Sequence, residues 1–462
     1  MKYILSENIA LRSWKDAPSA YYIRGREHAR FMEKGIFDVL LHCDGMTELE
    51  EDGLIRKLLE KKFIIPAPNG AQLSDWQKPR FFDNDYVPTI DLRITGRCNF
   101  NCRHCFNAAD VNRDMSEWSM EEIRDLLDEA RDMGVYSVKI TGGEPLLHPH
   151  FTDILREIYN RDMRVEHIIT NGHFIDRKLL HEMHEIGCRC GMWISFDCFG
   201  HHDWMRGMKG AEKKALESIR LCQEEGHKIT LDVQLNSITR DTLYETADYF
   251  DSIGIHCFRI IRTSESPRWR QFAGEAQIGI EEYFDECIRF LRKYTEKPRN
   301  MNVICWEFAS FNVSSRKYKA EACASPLSAY NGKLPLCGMC RYRPAIAADG
   351  TLYPCHQSSG AYDAQKEKFV NVKKTGLRAA FSDEKYRSEA HRTAEDLLQL
   401  GGKCSQCRHF RQCYGGCRNM ALCILGDIAG PDPYMCAYYD GDYEKKLQEA
   451  LPDWTNKVLS ET

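Results

Sequence analysis

The chain has 462 residues, of which 43% are hydrophobic and 28% are charged, and its formal net charge is −5. This composition is typical of a folded globular protein and gives no reason to expect a nucleic acid or an anionic membrane as partner. No run of about eighteen apolar residues occurs, so no membrane-spanning helix is predicted. The first residues also lack the apolar stretch of a secretory signal. The 21 cysteines therefore predict metal ligation in a reducing, cytoplasmic setting.

Residues 1–66 are predicted to form a small separate unit. Short strands are predicted at 3–5 and 21–23, two helical segments follow, and a strand at 63–65 closes the unit. This order of elements is typical of a winged helix. The stretch LHCDGMTELEEDGLIRKLLEKKFI resembles the PqqD-like recognition elements. That resemblance implies that the unit binds the leader of a ribosomally made precursor peptide.

Charge argues against DNA binding, which is the alternative function of a winged helix. Residues 1–66 hold eleven Lys and Arg and eleven Asp and Glu, and the second helical region begins with the acidic run 48–52. An acidic helix repels phosphates, whereas a neutral sheet edge suits an added peptide strand. Residues 67–87 contain several turn-forming residues and are predicted to be a linker.

From residue 88 to residue 300 the chain alternates predicted strands and helices. The strands are predicted to end at Thr95, Thr141, Thr170, Asp197, Asn236 and Arg262. One helix is predicted after the capping box of Ser119 and Glu122, and others at 174–186, 211–225, 241–253 and 280–294. Such alternation predicts an α/β fold with a parallel sheet and crossover helices, either a barrel or a doubly wound sheet.

Three cysteines follow the first of these strands at C-x-x-x-C-x-x-C spacing, namely Cys98, Cys102 and Cys105. A structural zinc site needs four protein ligands. Three thiolates without a fourth nearby therefore favour a [4Fe–4S] cluster in which one iron has no protein ligand and is open. A zinc knuckle that uses a distant fourth ligand is the alternative. With Phe106 directly after the third cysteine, this stretch resembles the signature of the radical S-adenosylmethionine (SAM) superfamily.

That resemblance implies a partial (β/α)6 barrel, a cluster whose open iron binds SAM, and cleavage of SAM to a 5′-deoxyadenosyl radical. Gly142, Gly143 and Glu144 then resemble the motif that holds the SAM amino group, although alone they would be read as an ordinary turn. The resemblance also implies SAM contacts from other strand ends. Ser195 and Arg206 are expected at the carboxylate, Asp197 and Asn236 at the ribose, and Thr170 and Asn171 nearby.

The last third of the chain is rich in cysteines at characteristic spacings. These cysteines are Cys340, Cys355, Cys404, Cys407, Cys413, Cys417 and Cys436. Their pattern resembles SPASM domains, which carry two auxiliary [4Fe–4S] clusters, and a pair of zinc ribbons is the alternative.

The resemblance assigns Cys340, Cys355 and Cys417 to one auxiliary cluster. It assigns Cys404, Cys407, Cys413 and Cys436 to the other. Cys337 is the expected fourth ligand of the first cluster, with Cys323, Cys305 or an open iron as alternatives. Three [4Fe–4S] clusters and SAM are therefore the expected cofactors. His356 follows a cluster ligand and is the candidate catalytic base, because histidine titrates near neutrality.

Together these resemblances imply a radical SAM, SPASM-type peptide-modifying oxidoreductase. The expected partners are a precursor peptide with a leader and an electron-donating flavodoxin or ferredoxin, with no nucleic acid and no membrane. The expected product is an intramolecular crosslink, a thioether first of all. Carbon–carbon or carbon–oxygen crosslinking, epimerisation, decarboxylation and formylglycine-type maturation of a protein substrate are the alternatives. So is a non-catalytic peptide or electron carrier.

The predicted domain organisation has six parts. They are a winged-helix leader-binding domain at 1–66, a linker at 67–87, the radical SAM partial barrel at 88–300, a bridging region at 301–336, the SPASM domain at 337–440 and a tail at 441–462.

Overall fold

A computed structural model describes residues 1–26, 29–105, 115–320, 331–333, 335–357 and 369–456. Phe106, predicted as a cofactor contact, and Cys323, an alternative cluster ligand, lie outside these described residues. Among the described helices, none is both long enough and apolar enough to cross a lipid bilayer.

The N-terminal unit consists of two small sheets and two helices. Its elements are β1 (Lys2–Leu5), β2 (Ile9–Ser13), β3 (Ala20–Ile23), β4 (Arg30–Phe31), α1 (Lys34–Leu41), β5 (Asp44–Glu48), α2 (Gly53–Glu60), β6 (Ile64–Pro66) and β7 (Arg80–Phe81). One sheet has the strand order β5-β1-β6 and the other β4-β3-β2-β7. Asp52 caps α2 by accepting hydrogen bonds from the backbone of Leu54 and Ile55. Strand β5 was not predicted, because its sequence DGMTE is polar and half-exposed.

Residues 67–87 pack against both neighbouring parts of the chain. The Gln77 side chain donates to the carbonyl of Leu5 at 2.9 Å, and Arg12 donates to the carbonyl of Trp76 at 2.9 Å. Trp76 is buried in a cluster with Trp14, whose indole donates to the carbonyl of Met133 at 3.0 Å. This segment therefore holds the N-terminal unit against the central sheet.

The central sheet contains the predicted alternation of strands and helices. Its parallel strands are β8 (Thr89–Arg93), β9 (Ser137–Thr141), β10 (Arg164–Thr170), β11 (Gly191–Ser195), β12 (Ile229–Leu235), β13 (Cys257–Arg262) and β14 (Asn302–Cys305), in that order across the sheet. The helices between them are α3 (Met120–Asp132), α4 (Phe151–Tyr159), α5 (Arg177–Ile186), α6 (His202–Arg206), α7 (Ala211–Glu224), α8 (Arg240–Ser252), α9 (Pro267–Phe272) and α10 (Ile280–Tyr294). The prediction of a parallel α/β sheet with crossover helices is confirmed.

The two faces of this sheet differ in chemistry. Apolar residues such as Leu92, Ile140 and Ile194 pack with the helices in one continuous core. Alternate positions on the same strands carry polar or aromatic side chains, such as Lys139 and Trp193, and these face away from the helices. We call this second face the lumen face.

The C-terminal third extends the same sheet and shares its core. Its strands are β15 (Ala309–Asn312), β16 (Lys317–Ala320), β17 (Ala345–Ile346), β18 (Leu352–Tyr353) and β19 (Thr455–Asn456). Its helices are α11 (Gly338–Tyr342), α12 (Val372–Thr375), α13 (Leu377–Phe381), α14 (Glu384–Ala390), α15 (Ala394–Gln399), α16 (Phe410–Cys413), α17 (Arg418–Leu425), α18 (Pro433–Asp440) and α19 (Tyr443–Ala450). Strand β17 pairs in parallel with β8, at the start of the central sheet.

The hydrophobic core runs from the central sheet into this third without a break. It includes Ile346, Tyr386 and Leu447 together with the residues of the central sheet. The bounds of the six predicted parts of the chain remain predictions.

Candidate active site

The predicted cluster cysteines lie on one loop directly after β8. Cys98, Cys102 and Cys105 are half-buried, and none of them forms a disulfide in the described structure. The backbone N–H of Phe100 lies 3.4 Å from Cys98 Sγ, in position to donate to a thiolate. Burial, together with the neighbouring Cys102, Glu144 and Cys105, raises the pKa of Cys98 to about 12. Loading a cluster at this loop would therefore release protons.

Two elements fix the shape of this cysteine loop. Helix α6 accepts two backbone hydrogen bonds from it, Asn101 N to Arg206 O at 3.2 Å and Arg103 N to Met205 O at 2.9 Å. From α9, Arg268 Nε donates to the carbonyl of Cys102 at 2.8 Å. The sulfur positions are therefore set by the protein, as a cluster site requires. Sequence analysis did not identify Arg268, because nothing in its local sequence marks it.

Gly142 and Gly143 allow the turn after β9 to contact the segment ahead of Cys98. The Gly143 N–H donates to the carbonyl of Thr95 at 2.7 Å, and the Glu144 N–H donates to that of Arg97 at 2.8 Å. A Cβ on Gly143 would lie 2.5 Å from the carbonyl oxygen of Gly96. Only glycine permits this approach. Gly143 therefore makes its close contact with the backbone ahead of Cys98 and not with a ligand.

Glu144 is fully buried at the end of this turn. Its carboxylate accepts hydrogen bonds from Thr170 Oγ1 at 2.7 Å and from the backbone N–H groups of Asn171 and Leu146 at 2.7 and 3.1 Å. Burial raises the pKa of Glu144 to about 7 in spite of these donors. The structure thus brings together Glu144, Thr170 and Asn171, three of the predicted SAM contacts.

Arg206 and Asp197 form a buried ion pair beside the cysteine loop. Arg206 Nε lies 2.8 Å from Asp197 Oδ2, and both side chains are buried. Burial opposes ionisation of Asp197, but Arg206 and His202 outweigh it and hold the pKa of that carboxyl well below its usual range. Arg206 also reaches the thiol of Cys102. Asp197 therefore positions Arg206, and its predicted contact with a ribose remains a prediction.

Ser195 and Asn236 also lie at strand ends. Ser195 is half-exposed at the last position of β11. Asn236 is fully buried, its amide oxygen accepting from the backbone N–H groups of Ile238 and Thr239 and its amide nitrogen donating to Thr263. The structure uses Asn236 to shape the turn ahead of α8.

Removing one partner of the buried ion pair should be costly. We expect Asp197→Ala to lower the free energy of unfolding by about 3–5 kcal/mol, because the Arg206 charge would stay buried without a partner. Thermal unfolding measures the effect as a fall in Tm. Asp153→Ala removes an exposed pair with Arg156 and is the control, with an expected change of about 1 kcal/mol or less. Equal Tm values for the two variants would contradict the buried pair.

The C-terminal cysteines gather in two groups. In the first, the thiol of Cys340 lies within hydrogen-bonding reach of Cys337 and Cys355, and Cys417 lies close to the same two cysteines. In the second, Cys413 lies close to three others, Cys404, Cys407 and Cys436. Cys305, an alternative fourth ligand, contacts Cys287 in the core of the central sheet instead.

Among the described residues, no three His, Cys, Asp or Glu side chains converge closely enough to hold a single metal ion. The two C-terminal groups consist of cysteine thiols, which are the ligands of [4Fe–4S] clusters.

His356 lies beside the lumen face and is partly exposed. Partial burial, with the neighbouring charges of Lys139 and Arg93, lowers its pKa well below the usual range. The imidazole is therefore neutral at pH 7, and its role as a catalytic base remains a prediction.

The segment that carries the cysteine loop is similar to a known protein family. The family model described as the radical SAM superfamily matches residues 92–250, which span β8 to α8 and include the cysteine loop. These residues are a radical SAM domain. The protein is a radical SAM enzyme, and SAM and a [4Fe–4S] cluster are its cofactors.

Similar curated proteins fall into more than one group. An Fe-coproporphyrin III synthase of Methanosarcina barkeri is 33% identical over 34% of this chain and 39% of its own length. An AdoMet-dependent heme synthase of the same organism is 24% identical over 76% of this chain and 97% of its own length. A PqqA peptide cyclase of Granulibacter bethesdensis is 22% identical over 74% of this chain and 84% of its own length.

Two solved structures share the fold. Streptococcus suis SuiB bound to the precursor peptide SuiA is 15% identical, with a TM-score of 0.63, over 94% of this chain and 99% of that one. The protein anSMEcpe with bound AdoMet is 15% identical, with a TM-score of 0.58, over 80% of this chain and 97% of that one. The likeness to SuiB therefore extends beyond the radical SAM domain to nearly the whole chain.

Sequence analysis missed a set of side chains on the lumen face of the radical SAM domain. They are Asp91, Arg93, Lys139, His167, Trp193, Asp232 and Arg259. A signal was present, because strands buried on both faces are usually continuous apolar runs. Here strands such as LDVQL and GMWIS alternate apolar residues with polar or aromatic ones.

Proposed function

We propose that this radical SAM enzyme is a peptide maturase. It would abstract a hydrogen from a ribosomally made precursor peptide and form an intramolecular crosslink, a thioether first of all. The fold match to SuiB, solved with a bound precursor peptide, carries the proposal because it covers 94% of this chain. Similarity to PqqA peptide cyclases also supports a peptide substrate.

Each part of the chain then has a role. The N-terminal unit holds the leader of the peptide as a PqqD-like element. Cys98, Cys102 and Cys105 hold the cluster that supplies radical cleavage of SAM when bound. Glu144 accepts the ammonium group of SAM, and Arg206, positioned by Asp197, binds its carboxylate with Ser195.

The two C-terminal cysteine groups would hold the auxiliary [4Fe–4S] clusters. The fourth ligand of the first is Cys337, whose thiol lies beside Cys340. When bound, these clusters would supply an acceptor for the electron left after crosslinking, and a flavodoxin or ferredoxin would serve as the reductant. We propose His356, which follows the cluster ligand Cys355, as the base that takes up the proton.

The intact mass of a candidate peptide tests this function. The peptide, encoded beside this chain, is expressed with it anaerobically. Loss of two hydrogens per modification, with a cysteine protected from alkylation, supports a thioether. The same loss with free cysteines indicates another crosslink, and loss of carbon dioxide indicates decarboxylation. An unchanged mass without deuterium uptake from solvent counts against peptide modification by this enzyme.

Iron analysis tests the auxiliary clusters separately. We expect the variant Cys404→Ala with Cys413→Ala to lose about four irons, because two of four ligands of one cluster are gone. The iron content of the purified, reconstituted chain is the measurement. Cys43→Ala removes a cysteine that is buried in the N-terminal unit and is the matched control. Equal iron in both variants would contradict the second cluster.

A further inference from the structure

A stack of four side chains crosses the lumen face of the radical SAM domain. The ring of His167 lies 3.9 Å from that of Trp193 with an angle of 6° between their planes. The guanidinium of Arg259 lies 4.4 Å from the ring of Trp193 on one side and 4.6 Å from the ring of Trp306 on the other. Arg259 is therefore held in one orientation by two aromatic rings.

Most of the donors of Arg259 are not used by the protein. Among the described residues its side chain makes one hydrogen bond, from Nη1 to Asp232 Oδ1 at 2.7 Å. A guanidinium carries five N–H donors. Arg262, on the same strand, shows the contrast, because its Nε and both terminal nitrogens bind Ile278, Tyr434 and Glu265.

The part of the lumen face around Trp193 and Trp306 is open enough for a ligand to approach. Along β11 the helix side is buried and the lumen side is half-exposed, and β14 shows the same alternation. Trp193 and Trp306, which flank Arg259, are both half-exposed. Arg259 itself is 6% exposed, so an anion bound there would be largely removed from water.

The other paired cations around the stack are neutralised by carboxylates of the protein. Lys139 pairs with Asp91 at 3.2 Å and Arg343 with Glu166 at 2.5 Å. Arg259 pairs with Asp232 through one nitrogen only.

The stack also lies next to the site predicted to hold SAM. Asp232, the partner of Arg259, is paired across the sheet with Ser195 on one side and with Arg259 on the other. Ser195 ends the strand that carries Trp193. A group bound by Arg259 would therefore lie two strands from the SAM carboxylate contact.

We propose that Arg259 binds a carboxylate of the peptide substrate and so positions the segment that is modified. Its planar fork, held between Trp193 and Trp306, matches the two oxygens of a carboxylate. The carboxylate belongs to an Asp or Glu side chain or to the end of the peptide. This assignment rests on the proposed function, since it names the chemistry of the substrate at the same site.

Small probes separate this inference from peptide modification itself. The reconstituted enzyme with SAM is titrated with N-acetyl-glutamate methylamide, with the neutral N-acetyl-glutamine methylamide, and with N-acetyl-alanine, which has only a terminal carboxylate. We expect one of the two carboxylate probes to bind about 10- to 100-fold more tightly than the glutamine probe. The stronger of them identifies the source of the carboxylate.

Variants of Arg259 complete the test. Arg259→Gln should abolish the preference, and Arg259→Lys should keep part of it, because lysine retains the charge without the fork. Arg299→Gln is the matched control. Arg299 is also buried and stacks on an aromatic ring, that of Tyr294, but it follows α10 and pairs with Asp248 of α8. Equal binding of all probes to the wild type, or a preference that survives in Arg259→Gln, overturns the inference. An unmodified peptide mass would instead count against the proposed function.

Discussion

Replacing Cys98, Cys102 and Cys105 with alanine is expected to abolish the anaerobic cleavage of SAM to 5′-deoxyadenosine. The variant should also lose about four irons, because all three thiolate ligands of the SAM-binding cluster are absent. The two C-terminal cysteine groups lie on other segments and should keep their iron. Product formation is measured by chromatography, and iron is measured on the same reconstituted sample.

The same experiment has a control and a clear contrary result. Cys257→Ala removes another cysteine of the central sheet, one that lies in β13, and should leave both readouts unchanged. Cleavage that survives in the triple variant would show that the cluster is held elsewhere. Absence of cleavage in the fully reconstituted wild type would favour the carrier alternative.

Replacing Glu144 with glutamine is expected to weaken SAM binding about 10- to 100-fold at pH 8. An ionised carboxylate that accepts from an ammonium group is worth more than a neutral amide. Glutamine would also present an NH₂ group to the donors of Thr170, Asn171 and Leu146. Equilibrium dialysis of SAM against the reconstituted protein measures the affinity.

The wild-type affinity for SAM should depend on pH with a defined sign. The pKa of Glu144 is raised to about 7, so the carboxyl is mostly protonated at pH 6 and mostly ionised at pH 8. Because the ammonium prefers the ionised form, the Kd for SAM should fall as pH rises through 7. Glu144→Gln should lack this dependence, whereas Glu157→Gln, a change on the outer surface of α4, should retain it. A flat profile in the wild type would contradict the role of Glu144.

Much of the central fold could be predicted from the sequence. The six predicted strands and the helices at 211–225 and 280–294 agree with the structure within a few residues, because their apolar periodicity is strong. The capping residue Ser119 also marked the start of α3 correctly. Strands β15 and β16 and the pairing of β17 with β8 were not predicted. Pairing between distant segments depends on tertiary packing, which local periodicity does not encode.

The candidate site shows the same division. Cys98 and Glu144 belong to local motifs and were identified by the resemblance of those motifs to a known family. Arg268, Arg259 and Trp306 come from a helix, a strand and a loop, and single residues in such places have no local signature. The ion pair of Asp197 with Arg206 was not predicted, because spacing does not reveal which side chains meet. The predicted contact of Asp197 with a ribose remains a prediction.

The pairing of β17 with β8 has a consequence for how the chain is made. Asp91 and Ala345 are neighbours in the sheet although more than 250 residues separate them. At about 5–20 residues per second, a ribosome needs more than ten seconds to supply the partner of this edge. During that time the nascent barrel carries an unpaired strand beside the cysteine loop, and unpaired edges recruit other chains. A fragment ending at residue 320 would keep that edge permanently and should aggregate when it is expressed alone.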